Sequence, residues 1–102
     1  MTLRATAEIK DLGDHVGAQV TLTGWVETVR VHGKVAFFVI RDGTGVCQCV
    51  LVKKTLPEDV WDAGIALTQE STVAVTGEVR EDARAPGGYE LGVSELTVMA
   101  VS

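Results

Sequence analysis

Cysteine, histidine and positive charge are all scarce in this chain, and each scarcity removes a class of function. The two cysteines, Cys47 and Cys49, sit two apart. On a strand that spacing puts both side chains on one face, too local for a sensible structural disulfide. Histidine is limited to His15 and His32, in different segments, which leaves a metal site short of ligands. The cysteines therefore read as small apolar fillers of a reduced core. Lys and Arg total 9 against 14 Asp and Glu, and a net charge of −5 argues against a non-specific polyanion binder. No apolar run approaches the roughly 20 residues of a membrane helix, and the opening MTLRATAEIKDL lacks the apolar core of a secretory signal. No membrane partner and a cytoplasmic location are expected. There is no Ser/His/Asp or Cys/His arrangement, no Walker loop and no carboxylate cluster with metal spacing, so no catalytic residue and no metal ligand is assigned.

What the chain does have is enough material for one domain over residues 1–102, with 46% apolar residues and no linker or repeat. Its positive charge is unevenly placed. Residues 30–54 carry Arg30, Lys34, Arg41, Lys53 and Lys54 against Asp42 alone, a net +4. Residues 1–29 come to −2, and residues 55–102, with Arg80 and Arg84 against nine acids, to −7.

Alternation of apolar and polar residues predicts a first strand over 19–30, with Val20, Leu22, Gly24 and Val26 on one face and Thr21, Thr23, Trp25 and Glu27 on the other. Gly24 suggests a bend or bulge, as a strand shared between two sheets of a barrel requires. Gly33 turns the chain into a second strand over 34–42, and Gly43-Thr44-Gly45 into a third over 46–53. Residues 8–17 read as a short helical turn whose Ile9 and Leu12 plug one end of the barrel. A helix is expected over 55–70, with Thr55 and Glu58 at capping-box spacing and Pro57 in the first turn. Val60, Gly64 and Leu67 would face the barrel, with Trp61 and Ile65 alongside. A fourth strand follows over 72–80, the broken loop EDARAPGG over 81–88, and a fifth strand over 89–99 with a bulge around Ser94-Glu95. Three strands, a helix and two strands is the layout of the OB-fold, an all-β, five-stranded Greek-key barrel that binds oligonucleotides on an outer face.

Strand two separates inside from outside. Phe37 and Phe38 are adjacent and must point to opposite faces. With Ala36, Phe38 and Ile40 inside, Phe37 is an outward ring near Arg30 and Lys34, a platform on which a base can stack. With Cys47 and Cys49 inside, Gln48 emerges beside Phe37 and offers both a donor and an acceptor to a base edge. Glu90 has the outward parity of strand five. A carboxylate on a nucleic-acid face makes sense chiefly as an acceptor for the N1–H and N2–H₂ donors of guanine, or else it is an ordinary solvated glutamate. Arg84 in the preceding loop is either a phosphate contact or a solvated charge. Arg41 is expected to pair locally, and Asp42 to serve the turn before Gly43.

The stretches DLGDHVGAQVTLTGWVETVR, GKVAFFVIRDGTGVCQCV and VAVTGEVREDARAPGGYEL cover nearly the whole chain in order. Through them the chain resembles the N-terminal anticodon-binding domain of class II aminoacyl-tRNA synthetases of the aspartyl/asparaginyl group, with REDARAPGGYEL closer to the asparaginyl branch. The resemblance implies that Phe37 stacks on the central anticodon uridine, that Gln48 hydrogen-bonds that base, that Arg30 contacts the anticodon and that Glu90 reads the first anticodon guanine. It implies no cofactor in this chain, since ATP and magnesium would belong to a catalytic domain following Ser102. The implied partner is the anticodon loop of tRNA for Asn, with Asp as the alternative and a homodimer expected only within a full-length synthetase. Val39 departs from the family, which often has a polar residue there, and the Val31-His32 turn receives no role. Two other readings stand beside this one. A freestanding single-stranded nucleic-acid binder would ignore loop sequence, and a protein-docking OB domain would bury Phe37 and Val39 at an interface.

Overall fold

Buried and exposed side chains alternate along the strands of the computed structural model, which describes residues 5–100. A 3-10 turn, Ile9–Asp14, leads into β1 (Gln19–His32), β2 (Val35–Arg41) and β3 (Val46–Val52). An α-helix, α1 (Glu58–Ile65), then precedes β4 (Thr72–Glu81) and β5 (Tyr89–Ala100). The strands close a barrel in the order β1-β2-β3-β5-β4, parallel only between β3 and β5. This is the OB-fold that the element order predicts.

The interior is filled by alternate residues. On β2 they are Ala36, Phe38 and Ile40, on β3 Cys47, Cys49 and Leu51, all fully buried, with Leu22, Val26, Val73, Val75, Val79 and Leu91 from the other strands. Both thiols are free, and burial pushes that of Cys49 well up, aided by Cys47 beside it. They are inert packing groups. Ile9 and Leu12 join the same core, Ile9 lying against Gly45 just before β3 begins. Toward the other end of β3, Gly64 of α1 rests against Leu51, where any larger residue would collide.

Several local expectations are corrected. The helix occupies 58–65 rather than 55–70; its later start follows from Pro57, which holds Leu56 extended (φ −104°, ψ 148°) so that no helix can run back through it. Thr55 accordingly caps nothing, its hydroxyl donating to the Val52 carbonyl instead. Ile65 is exposed rather than packed alongside Trp61. β1 is shared between β2 and β4, as a barrel strand must be, yet its bulge lies at Glu27 rather than Gly24. Arg41 pairs not locally but with Glu70, at 2.9 and 3.1 Å, with its guanidinium carbon 5.6 Å from the Trp25 ring centroid. The β5 bulge does fall where expected, since Thr76 pairs with Glu95 and Gly77 with Val93, leaving Ser94 extra.

At that bulge β4 and β5 approach so closely that a Cβ on Gly77 would strike the Gly92 carbonyl, a backbone group that cannot swing away. Gly77→Ala is therefore expected to cost about 1–3 kcal/mol, the usual range for overpacking. Urea denaturation checks this, and a midpoint unchanged from the parent would contradict it.

Asp42 behaves as its place before Gly43 predicts. Its carboxylate accepts from the backbone N–H of Ile9 (2.9 Å) and of Thr44 (2.8 Å) and from the Thr44 hydroxyl (2.6 Å). Partial burial pushes its pKa up, but these donors outweigh that and hold it below the usual carboxylate range. A depressed folded-state pKa means that stability is complete above the unfolded value, about 3.9, and is lost as pH falls through the folded one. Asp42→Asn should flatten the acid limb of stability against pH below about 4, measured as denaturation midpoints from pH 5 to pH 2. An unaltered limb would show that Asp42 carries none of it.

Candidate nucleic-acid interface

Strict alternation from Val20 to Val26 would carry Arg30 into the barrel. The extra residue at Glu27 prevents this, because Val26 pairs with Ile40 and Thr28 with Val39, which reverses the faces of everything after it. Arg30 thus emerges outward, directly across from Phe37. The outer face of β1, β2 and β3 then reads in rows. One row is Arg30, Phe37, Val50 and, on β5, Gly92. The next is Thr28, Val39, Gln48, Glu90 and, on β4, Arg80.

Phe37 is half-buried, and the Arg30 guanidinium carbon stands 5.9 Å from its ring centroid. That is cation–π range, worth about 0.5–1 kcal/mol at an exposed site. The His32 ring also meets Phe37 edge-on, centroids 6.4 Å apart and planes inclined at 67°. Gln48 is the diagonal neighbour of Phe37 across β2 and β3, at a spacing of roughly 7–8 Å. It lies beside Glu90 in the parallel β3–β5 ladder. The barrel thus brings Arg30, Phe37, Gln48 and Glu90 onto one continuous face.

Glu90 is not a freely solvated glutamate. Its side chain is only 16% exposed, and a carboxylate oxygen lies 3.7 Å from Arg80 Nε. The Arg80 guanidinium lies over Gly92, where any Cβ would collide with it. Arg80 is the residue of this face that sequence reasoning overlooked. The usable signal was the β4–β5 hairpin itself, since pairing Glu81 with Tyr89 sets Arg80 opposite Glu90.

The two remaining site residues lie on loops. Lys34 is exposed in the two-residue β1–β2 turn, where Gly33 takes the positive φ of 61° that the first turn position requires. Arg84 has a side chain 94% exposed and sits 3.7 Å from Asp82 in its own loop, rather than against the other five. The basic surplus of residues 30–54 is also thinner on this face than the count implies. Arg41 is neutralised by Glu70, whose carboxyl that hydrogen-bonded pairing pulls below its ordinary range, and Lys53 lies 5.9 Å from the Trp61 ring. Among the described residues no three metal-ligating side chains gather, and no helix is long and apolar enough to cross a membrane.

Residues 20–99 match the model of the tRNA anti-codon family, an OB-fold nucleic acid binding domain. An asparagine–tRNA ligase of Symbiobacterium thermophilum is 50% identical over 91 residues, which is 89% of this chain and 21% of that protein. The Chloroflexus aurantiacus asparagine–tRNA ligase is 44% identical over all 102 residues, 23% of its length. In structure, the asparaginyl-tRNA synthetase of Pyrococcus horikoshii complexed with asparaginyl-adenylate superposes with a TM-score of 0.89 at 35% identity, over 99% of this chain and 23% of that one. The chain thus spans less than a quarter of the length of these relatives. This chain, a barrel matched along most of its length and carrying Arg30, Phe37, Gln48 and Glu90 on one outer face, belongs to the tRNA anti-codon family of OB-fold nucleic acid binding domains.

Proposed function

We propose that this chain is a tRNA anticodon-binding module, equivalent to the N-terminal domain of an asparaginyl-tRNA synthetase and acting in protein biosynthesis in the cytoplasm. The observation that carries the reading is the pair of adjacent rows, Arg30 with Phe37 and Gln48 with Glu90, on one sheet face. The middle anticodon base stacks on Phe37 while Gln48 hydrogen-bonds its edge, and Arg30 supplies a phosphate contact or a second plane. Glu90 accepts from the N–H groups of a guanine in the first position. Its pairing with Arg80 holds the carboxylate along the face, where it remains an acceptor. Lys34 and Arg84 contribute phosphate contacts from the two loops. The asparagine anticodon GUU suits these groups, with the aspartate tRNA as the alternative. ATP, magnesium and amino-acid chemistry, and any homodimer contact, would belong to the catalytic domain of a full-length synthetase.

A competition at equal salt between an anticodon stem-loop carrying GUU and one with a scrambled loop tests this. The stem-loop with GUU is expected to bind at least tenfold more tightly, about the effect of one well-placed polar base contact. Equal binding by the two would favour a sequence-blind single-stranded binder on the same fold. No binding to either would favour a protein-docking role for Phe37 and Val39.

A further inference from the structure

Among the described residues Glu70 alone, apart from glycines, takes a positive φ, 71°. It is the third residue of the tight turn 68–71, which the Ser71 N–H closes by donating to the Thr68 carbonyl at 3.1 Å. Left-handed backbone at that position is the usual place of glycine, and a side chain there is strained. The strain falls where β1 changes partners. The Glu70 N–H donates to the Val26 carbonyl (2.7 Å) and the Val26 N–H to the Ser71 carbonyl (2.8 Å), so two residues oppose one in a bulge whose first residue is left-handed. The next residue of β1 is Glu27, the extra residue opposite β2. The Glu70 carboxylate accepts both guanidinium bonds of Arg41, at the end of β2. Arg41 reaches it across Trp25, the β1 residue paired with both Arg41 and Thr72. The Glu27 carboxylate attracts the same guanidinium.

We infer that Glu70 is a positioning residue of the interface: with Arg41 it latches β1 at the root of the arm that carries Arg30, and so fixes where Arg30 stands over Phe37. The inference rests on the anticodon reading and adds to it a residue outside the RNA-facing rows. Beyond Trp25 the ladder with β4 ends, and residues 28–32 pair with β2 alone. β2 is held from its other edge by β3 along its whole length, from Val35 to Arg41, so Phe37 is fixed on two sides and Arg30 on one. Arg30 lies four residues beyond Val26, an arm of about 13 Å at the usual strand rise, and a tilt of roughly 5° at its root moves the Arg30 backbone by about 1 Å. The Arg30 guanidinium carbon already stands 5.9 Å from the Phe37 centroid, at the edge of cation–π range, so a displacement of that size loosens the contact. Glycine at position 70 relaxes the turn but leaves Arg41 without its partner. Glutamate keeps the turn strained and the arm in place.

The test measures anticodon stem-loop affinity by fluorescence anisotropy for the parent, Glu70→Gly, Arg41→Gln, Arg30→Ala and Phe37→Ala, and for each latch substitution combined with Arg30→Ala. The two latch substitutions change the net charge in opposite directions. Both should nonetheless weaken binding about two- to tenfold, the lower part of the range for changes that couple to a site from outside it. In the Arg30→Ala background neither should weaken it further. Glu70→Gly should act without lowering the urea midpoint, since relief of the turn offsets an exposed ion pair. Tighter binding by Glu70→Gly with weaker binding by Arg41→Gln would reveal simple charge effects and overturn the proposal. Parent-like affinity in both, or losses that persist without Arg30, would overturn it as well. Amide hydrogen exchange of the free protein supplies a readout that involves no RNA: residues 28–32 should exchange faster in both latch variants while the β4–β5 hairpin is unchanged, and parent-like rates at 28–32 would refute the latch. If Phe37→Ala leaves affinity unchanged, the anticodon reading has failed, and the exchange rates judge the latch separately.

Discussion

Phe37→Ala is expected to lose about 1–3 kcal/mol of affinity for the anticodon stem-loop, the range that a stacked base contributes by alanine substitution. The loss has two sources. The base forfeits the ring it lies on, and Arg30 loses the ring that holds its guanidinium at 5.9 Å, so a second contact becomes loosely placed. Stability should change far less. Phe37 is half-buried on the outer face, and its cross-strand neighbours, Arg30 and Val50, form pairs worth roughly 0.2–1 kcal/mol each. Calorimetric titration with the stem-loop checks the first expectation and urea denaturation the second. Unchanged affinity would remove Phe37 from the interface altogether.

One residue further along the chain, the effects reverse. Phe38 is fully buried among the alternate residues that fill the barrel, and it pairs across the ladder with Val29 and Cys49. Phe38→Ala removes most of a side chain from an interior that cannot collapse around the gap, because closed strands fix the barrel's radius. The expected cost is about 3–5 kcal/mol. Against a total stability of about 5–15 kcal/mol for a domain of ordinary kind, that would leave a marginal or partly unfolded protein. Under conditions where the variant remains folded, its affinity for the stem-loop should equal that of the parent, since every outward group is unchanged. A destabilisation below about 1 kcal/mol would mean that the core repacks freely around position 38. Taken together, the neighbouring substitutions test the two faces of one strand, one through binding and the other through folding.

Relative to Phe37, the positions of Gln48 and Glu90 illustrate how far sequence reading reached. Parity within β3 turned Gln48 outward and parity within β5 did the same for Glu90, and both are so placed. Their adjacency is another matter. It depends on the parallel β3–β5 pairing that closes the barrel, and no local pattern specifies that register. The Arg80 partner of Glu90 escaped notice for a related reason, as it lies on a strand otherwise read only for its core valines.

The sequence by itself determined which side chains of β2 and β3 lie inside, where the glycine turns interrupt, and hence the order of elements. These are local matters, since the period of two and the stereochemistry of glycine act within a few residues. Only the tertiary structure decided that Arg30 faces Phe37. Alternation counted from Val20 points Arg30 into the core, and a single unpaired residue at Glu27 turns it out again. A bulge exists only between two paired strands, so its position follows from how β1 satisfies β2 and β4 at once, a constraint that no residue of β1 records alone.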